Sequence, residues 1–126
     1  MKDNGLGTAI RLLRDRRTLS LREISQLSGV DHAYIHRLEK GEKSRPTDET
    51  LDKILRVLRA DTREADIVRW LVSRPDSDPG VVEFALNDPS ITIDMFSAAA
   101  GVVHRGSGRP DPATLFDRIR QIFAED

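Results

Sequence analysis

Cysteine is absent from the 126 residues of this chain. Its absence excludes a disulfide framework, a thiolate metal site and a cysteine nucleophile, so any catalysis would have to use the three histidines and the carboxylates. No apolar run approaches the roughly 18 residues that a membrane span needs, and the opening MKDNGLGTAI lacks the long apolar core of a secretory signal. We therefore expect a cytoplasmic chain with no membrane partner.

Net charge is small but unevenly distributed along the chain. Residues 1–60 carry 13 Lys and Arg against 9 Asp and Glu, a net charge of +4, whereas residues 61–126 carry 7 against 12, a net charge of -5. A basic N-terminal part suits a polyanion, and an acidic C-terminal part is better suited to protein contacts. An ordinary solvated surface would produce the same excesses, so the charge does not decide the function.

Apolar residues recur at steps of three and four, the spacing of amphipathic helices. The repeats include Leu6, Ile10 and Leu13; Leu21, Ile24 and Leu27; Ile35 and Leu38; and Leu51, Ile54, Leu55 and Leu58. Ser20 with Glu23 has the spacing of a capping box, and Asp111 followed by Pro112 is a typical helix start. The pattern predicts an all-α fold, with five helices in the first 72 residues and three after residue 80.

The stretch SRPDSDPG, residues 73–80, combines two prolines and a glycine with short polar residues, a composition typical of linkers. It divides the chain into a predicted N-terminal helical domain over residues 1–72, a linker over 73–80 and a C-terminal helical region over 81–126.

Two short helices, residues 21–27 and 32–40, flank a turn that contains Gly29, as a helix-turn-helix requires. We expect Ile24, Leu27, Val30, Ile35 and Leu38 to face a common core. The polar positions of the second helix would then point outward, where they could enter the major groove of DNA.

Residues 13–58, LRDRRTLSLREISQLSGVDHAYIHRLEKGEKSRPTDETLDKILRVL, resemble the Cro/cI, or XRE, family of helix-turn-helix DNA-binding domains. The resemblance implies a double-stranded DNA operator as partner, base contacts from the second helix of the motif and phosphate contacts around it. The implied base-contacting residues are His32, Ala33, His36 and Arg37. The implied backbone-contacting residues are Ser20, Arg22, Lys40, Lys43, Ser44 and Arg45.

The same resemblance implies a structural ion pair. Arg14 and Glu39 fall where the family often joins the first helix to the third, so Glu39 is expected to be structural rather than catalytic. Leu21 departs from the family, which often has a glutamine there that touches the sugar-phosphate backbone. Either Arg22 takes over this anchoring or the contact is lost.

His32 and His36 share a helical face and could hold zinc. Ala33 stands where the metalloprotease signature needs a glutamate, and no third ligand lies nearby in the sequence. DNA contact is therefore the favoured hypothesis and no metal is expected, with an inert exposed face as the remaining alternative.

The C-terminal string VVEFALNDPSITIDMFSAAAGVVHRGSGRPDPATLFDRIRQIF is similar in layout to the C-terminal region of repressors of the DdrO and ImmR type. The resemblance implies dimerisation through this region and inactivation by a partner metallopeptidase that cuts near Val103, His104 and Arg105. An exposed loop is the simpler interpretation of the same glycines and prolines. The predicted dimerisation stripe consists of Leu115, Phe116, Ile119, Ile122 and Phe123, although these residues could instead close a small core within one chain.

Together these features predict a sequence-specific, dimeric transcription repressor with no cofactor. A DNA-binding antitoxin, whose C-terminal part wraps a toxin, and a helical protein-interaction adaptor are the alternatives. An enzyme is not expected, because the sequence supplies neither a nucleophile with its base nor a metal set.

Overall fold

A computed structural model describes residues 4–43, 45–101 and 110–124. Within these ranges all the regular secondary structure is helical, as the apolar spacing predicts. The described residues form eight helices and no strand. The helices are α1 (Gly5–Arg16), α2 (Leu21–Ser28), α3 (His32–Glu39), α4 (Asp48–Val57), α5 (Thr62–Ser73), α6 (Pro79–Asn87), α7 (Ile93–Ala100) and α8 (Pro112–Ala124).

Short-range backbone bonds end α1, α3 and α4. In each case the second and third residues after the helix donate back to its last turn, the Schellman arrangement. For α3, Gly41 N–H donates to the Leu38 carbonyl over 3.2 Å, with Gly41 at φ 78°. The corresponding residues after α1 and α4 are Thr18 and Arg59, at φ 53° and 52°. Both hold a side chain in the left-handed region that favours glycine.

Helices α1 to α5 close around an apolar core. Its fully buried members include Leu6, Ile10, Ile24, Ile35, Leu38, Ile54, Leu58, Ile67 and Leu71. The expectation that Leu27 joins this core is wrong, because its side chain is 67% exposed. Ile24 is the one buried residue of α2, and Leu27 lies one turn later, beside Leu19 and Val57 at the edge of the core.

Residues 73–80 pack along the first helix. Leu6 N–H donates to the Pro75 carbonyl over 3.2 Å, and a Cβ atom added at Gly5 would lie 2.7 Å from the Ser77 carbonyl oxygen. Helix α6 then makes its most extensive contact with α1, and the buried apolar residues form one cluster from α1 to α8. The predicted regions therefore share a core, and the division at residues 73–80 stays a prediction.

Two arginines fasten the carbonyl end of α6 to the N-terminal helices. Arg16 Nη2 donates to the Leu86 carbonyl over 2.6 Å and to Asn87 Oδ1 over 2.8 Å. Arg63 Nη1 donates to the Ala85 carbonyl over 2.8 Å. Cations in this position satisfy terminal carbonyls and interact favourably with the helix dipole.

Helices α6 and α8 lie side by side and run in the same direction. Three pairs join them, each four residues further along both helices: Gly80 with Pro112, Phe84 with Phe116, and Asp88 with Arg120. The rings of Phe84 and Phe116 stack with their centroids 5.3 Å apart. Because α8 is the longer helix, its last turn extends beyond the end of α6.

The close approach of α1 to α3 generates a test. A Cβ atom at Gly7 would lie 2.4 Å from the carbonyl oxygen of Glu39 and 2.7 Å from that of Leu38. We expect Gly7→Ala to lower the free energy of unfolding in urea by about 1 to 3 kcal/mol, because two backbones would have to separate.

Gly80→Ala is the matched control. Its new Cβ atom would meet its nearest neighbours at 3.5 and 3.6 Å, which is ordinary contact, and alanine favours the helix. This variant should be at least as stable as the parent. Equal stability of the two variants would contradict the close approach.

Candidate nucleic-acid interface

Helix α3 presents one polar face to solvent. Ile35, Leu38 and Glu39 are its buried residues. The opposite face carries Ala33, His36, Arg37 and Lys40, at positions i, i+3, i+4 and i+7. His36, Arg37 and Lys40 are exposed and Ala33 is half-buried. Because the other side of this short helix is buried, the side chains of His36, Arg37 and Lys40 all point toward solvent.

His32 lies at the start of α3, where it meets α2. It lines a shallow groove with Arg22, Ser25 and Gln26. Its Nδ1 atom is 3.7 Å from Asp31 Oδ1, and the same carboxylate oxygen accepts from Ala33 N–H over 3.3 Å as the cap of α3. Sequence reasoning did not single out Ser25 and Gln26. The spacing of Gln26, four residues after Arg22, is the signal that could have found it.

Ser20 and Glu23 cap the start of α2 reciprocally. The Ser20 hydroxyl oxygen accepts from Glu23 N–H over 3.0 Å, and Glu23 Oε1 accepts from Ser20 N–H over 2.9 Å. The bond from Ser20 N–H lowers the pKa of Glu23 below its usual value, with the Ser20 hydroxyl as a second cause. Ser20 and the nearby Arg22 are both exposed.

The loop after α3 keeps three cations in solvent. Glu42 N–H donates to the Arg37 carbonyl over 2.9 Å and completes the turn that begins at Lys40. Lys40, Lys43 and Arg45 are exposed, and Arg45 borders a groove that includes Asp48. Ser44, the remaining predicted backbone contact, lies outside the described residues.

Arg14 and Glu39 form a forked ion pair between α1 and α3. Arg14 Nε donates to Glu39 Oε2 over 2.7 Å and Nη2 donates to Oε1 over 2.9 Å, while Nη1 donates to the Leu19 carbonyl over 3.1 Å. Glu39 is 5% exposed. The hydrogen bond to Glu39 raises the pKa of Arg14, and burial opposes this effect. Both carboxylate oxygens of Glu39 therefore accept from Arg14, and the pair joins the two helices.

The stripe predicted for dimerisation divides into two groups. Leu115, Phe116 and Ile119 are buried in the core of the chain itself, whereas Ile122 and Phe123 are exposed at the end of α8. The predicted cleavage positions, Val103, His104 and Arg105, lie outside the described residues.

Neither a metal-binding cluster nor a membrane-spanning helix is found in the described ranges. There, no group of three or more histidine, aspartate or glutamate side chains is arranged to hold a metal ion. None of the helices described is both long enough and apolar enough to cross a membrane.

Residues 6–67, just under half of the chain, match a family model described as a helix-turn-helix domain. The match spans α1 to α4 and the first half of α5, including the whole polar face of α3. It supports a DNA-binding regulator of the helix-turn-helix kind, a class that is typically not enzymatic. Among curated proteins, none matches the chain.

The forked ion pair generates a stability prediction. Glu39→Ala should lower the free energy of unfolding in urea by about 3 kcal/mol, because it leaves the half-buried guanidinium of Arg14 without its carboxylate. Glu42→Ala removes an exposed carboxylate from the next turn and should change stability by less than about 0.5 kcal/mol. Similar unfolding midpoints for the two variants would refute this role of the pair.

The capping box generates a pH prediction. Because the folded state lowers the pKa of Glu23, the unfolded chain takes up its proton first as the pH falls. The stabilisation by this carboxylate is therefore complete above its ordinary pKa of 4.5 and is lost as the pH falls through the lowered value.

Glu23→Gln is the matched variant, since glutamine keeps the capping-box bond but cannot titrate. The unfolding midpoints in urea of the parent and the variant should converge between neutral pH and about pH 3. Parallel profiles over that interval would exclude the effect.

Proposed function

We propose that this chain is a sequence-specific transcription repressor that binds its operator as a dimer and acts by occupancy. The observation that carries the proposal is the outward face of α3. Its buried side is fixed by Ile35, Leu38 and the Glu39 ion pair, so the exposed side is a preformed surface that fits a major groove about 12 Å wide.

Base readout is assigned to the residues of this face. Arg37 can donate both ends of its guanidinium to guanine O6 and N7, the commonest specific contact in the major groove. Ala33 offers a methyl group to the methyl group of thymine. His32 and His36 supply ring nitrogens on either side of Ala33. These four residues determine the sequence preference in the proposed complex.

Phosphate contacts are assigned to cations and donors that border α3. Ser20 and Arg22 lie at the start of α2, and Lys40, Lys43 and Arg45 lie after α3, all of them exposed. Two such groups, one on each side of the inserted helix, would fix its register on the duplex without reading its sequence.

Dimerisation follows from the small size of the interface. One helix-turn-helix makes few phosphate contacts, and operators of this class are bound at half-sites one helical turn, about 34 Å, apart. Ile122 and Phe123 are the members of the α8 stripe that remain exposed to a partner subunit. We assign the dimer contact to this tip.

Proteolysis is the proposed route to derepression. A cut at residues 103–105 would separate α8 from the rest of the chain, and α8 carries the fully buried Phe116 together with the exposed tip. The cut would uncouple the two half-sites, and the affinity gained from linking them would be lost.

The assignment of base and phosphate contacts can be tested with two single variants. On an operator selected from random DNA, Arg37→Ala should cost about 1 to 3 kcal/mol and relax the preference at one base pair. Lys40→Ala should weaken binding to all sequences alike and reduce the slope of log affinity against log salt by about one.

Arg118→Ala is the control, because Arg118 is exposed on α8, away from α3. It should leave the affinity, the preference and the salt slope unchanged. If Arg37→Ala and Lys40→Ala behave alike on selected and random DNA, the assignment fails. If the parent chain has no salt-dependent affinity for DNA, the proposed function itself fails.

A further inference from the structure

The described residues that line the groove between α2 and the start of α3 all carry hydrogen-bond donors. The groove has a volume of about 280 Å³, and its walls are Arg22, Ser25, Gln26 and His32. These residues offer a guanidinium, a hydroxyl, an amide and an imidazole. We call this the donor groove. Its lining suits a ligand that accepts hydrogen bonds and carries negative charge.

Helical spacing brings the donors of α2 together. Arg22, Ser25 and Gln26 stand at positions i, i+3 and i+4, which share one face of a helix. Ile24, the one buried residue of α2, holds the helix to the core, and Arg22 and Gln26 are exposed. Among the described residues, the side chains of Arg22, Ser25 and Gln26 have no hydrogen-bond or ion-pair partner. Their donors are therefore left for a ligand.

The carboxylates that neighbour these residues in the sequence take part in helix caps. Asp31 Oδ1 is 3.7 Å from His32 Nδ1 and accepts from Ala33 N–H over 3.3 Å. Glu23 belongs to the capping box at the start of α2. Neither carboxylate lines the donor groove, so an anion there would meet the guanidinium of Arg22.

Other grooves of the described surface lack this uniform lining. Asp48 and Asp76 line two grooves near the end of α5, and Glu83 and Asp88 line a groove along α6. The groove that contains Leu27 has two arginines, but its other walls are apolar. A small polar anion is therefore matched best by the donor groove.

We infer that the donor groove holds one phosphate of the operator backbone. The inference rests on the proposed function, since it requires α3 to lie in the major groove of DNA. A helix with its side chains is about 10 to 12 Å across and fills a major groove about 12 Å wide, so the neighbouring strand passes close to α2. The first helix of a helix-turn-helix crosses the backbone, which brings phosphates to the open face of α2.

The walls of the donor groove contribute differently to this contact. Arg22 neutralises the phosphate charge, while Ser25 and Gln26 donate to its oxygens as uncharged groups. His32, the first residue of α3, then lies between the bound phosphate and the bases. Ser25 and Gln26 are thus added to the backbone contacts as positioning residues, which fix the register of α3 without reading sequence.

A carboxylate placed in the donor groove tests this contact. Gln26→Glu keeps the size of the side chain and its suitability for a helix, but it sets a negative charge against the phosphate. On an operator selected from random DNA, it should raise the dissociation constant about tenfold in fluorescence anisotropy. Gln121→Glu is the matched control, because Gln121 is exposed on α8, away from α3, and it should bind like the parent.

Neutralising single phosphates locates the contact. A methylphosphonate replaces one charged oxygen by a methyl group, and operators are prepared with one such change at each position of a half-site in turn. At a single position the penalty of Gln26→Glu should fall to about twofold, because the repulsion has been removed. A methylphosphonate at that position should also weaken the parent more than Arg22→Ala, since both variants act on the same phosphate.

The outcomes separate this inference from the proposed function. If Gln26→Glu binds like the parent, or its penalty is equal on every modified operator, the phosphate contact is refuted while operator binding stands. A relaxed preference at one base pair with an undiminished penalty would make Gln26 a base contact and would also overturn the inference. A parent without salt-dependent affinity for DNA would refute both. Thermal unfolding followed by circular dichroism verifies that every variant is folded.

Discussion

The orientation of α3 depends on the fork between Arg14 and Glu39. Glu39 ends the helix, is buried, and accepts two hydrogen bonds from one guanidinium of α1. Ile35 and Leu38 hold the helix against the core, but apolar contacts tolerate small rotations, whereas a bidentate pair fixes an angle. Once that angle is fixed, helical geometry allows His36 and Arg37 no direction except outward. The exposed face of α3, which faces DNA in the proposed function, is therefore a consequence of the buried side.

Arginines at the end of α1 connect this helix to several other helices as well as to α3. Arg14 reaches α3, Arg16 reaches Glu64 of α5 and the carbonyl end of α6, and Arg17 reaches the carbonyl end of α4. Three arginines within four residues thus connect α1 to four other helices. Such cations at helix ends satisfy carbonyls that would otherwise need water. The C-terminal helices are consequently attached to the same element that positions α3.

Local signals in the sequence predict the helices well and their packing less well. The apolar spacing and the Ser20 and Asp111 caps act within one or two turns, so the sequence displays them directly. Leu27 fits the same spacing yet is exposed, because it lies at the edge of the core beside Leu19 and Val57, a tertiary position that the spacing does not encode. The prolines and glycine of residues 73–80 indicate a linker, but the hydrogen bond from Leu6 N–H to the Pro75 carbonyl depends on a distant helix. The parallel pairing of α6 with α8 and the roles of Arg16 and Arg17 are tertiary in the same way. Local periodicity indicates which residues of α3 face outward, and the fork fixes the angle at which they do so.

The contacts of α8 with the other helices determine which properties of the protein would change if α8 were removed. Helix α8 packs mainly on α6 and α7, and Phe116 stacks on Phe84 of α6, whereas α3 packs on α1 and α2. Loss of α8 would expose the outer side of α6 but would leave the fork between Arg14 and Glu39 in place. In the proposed repressor, base preference within a half-site would then survive while the coupling between half-sites disappears. Regulation at the C-terminal region would therefore act on affinity for the whole operator and leave the sequence preference unchanged.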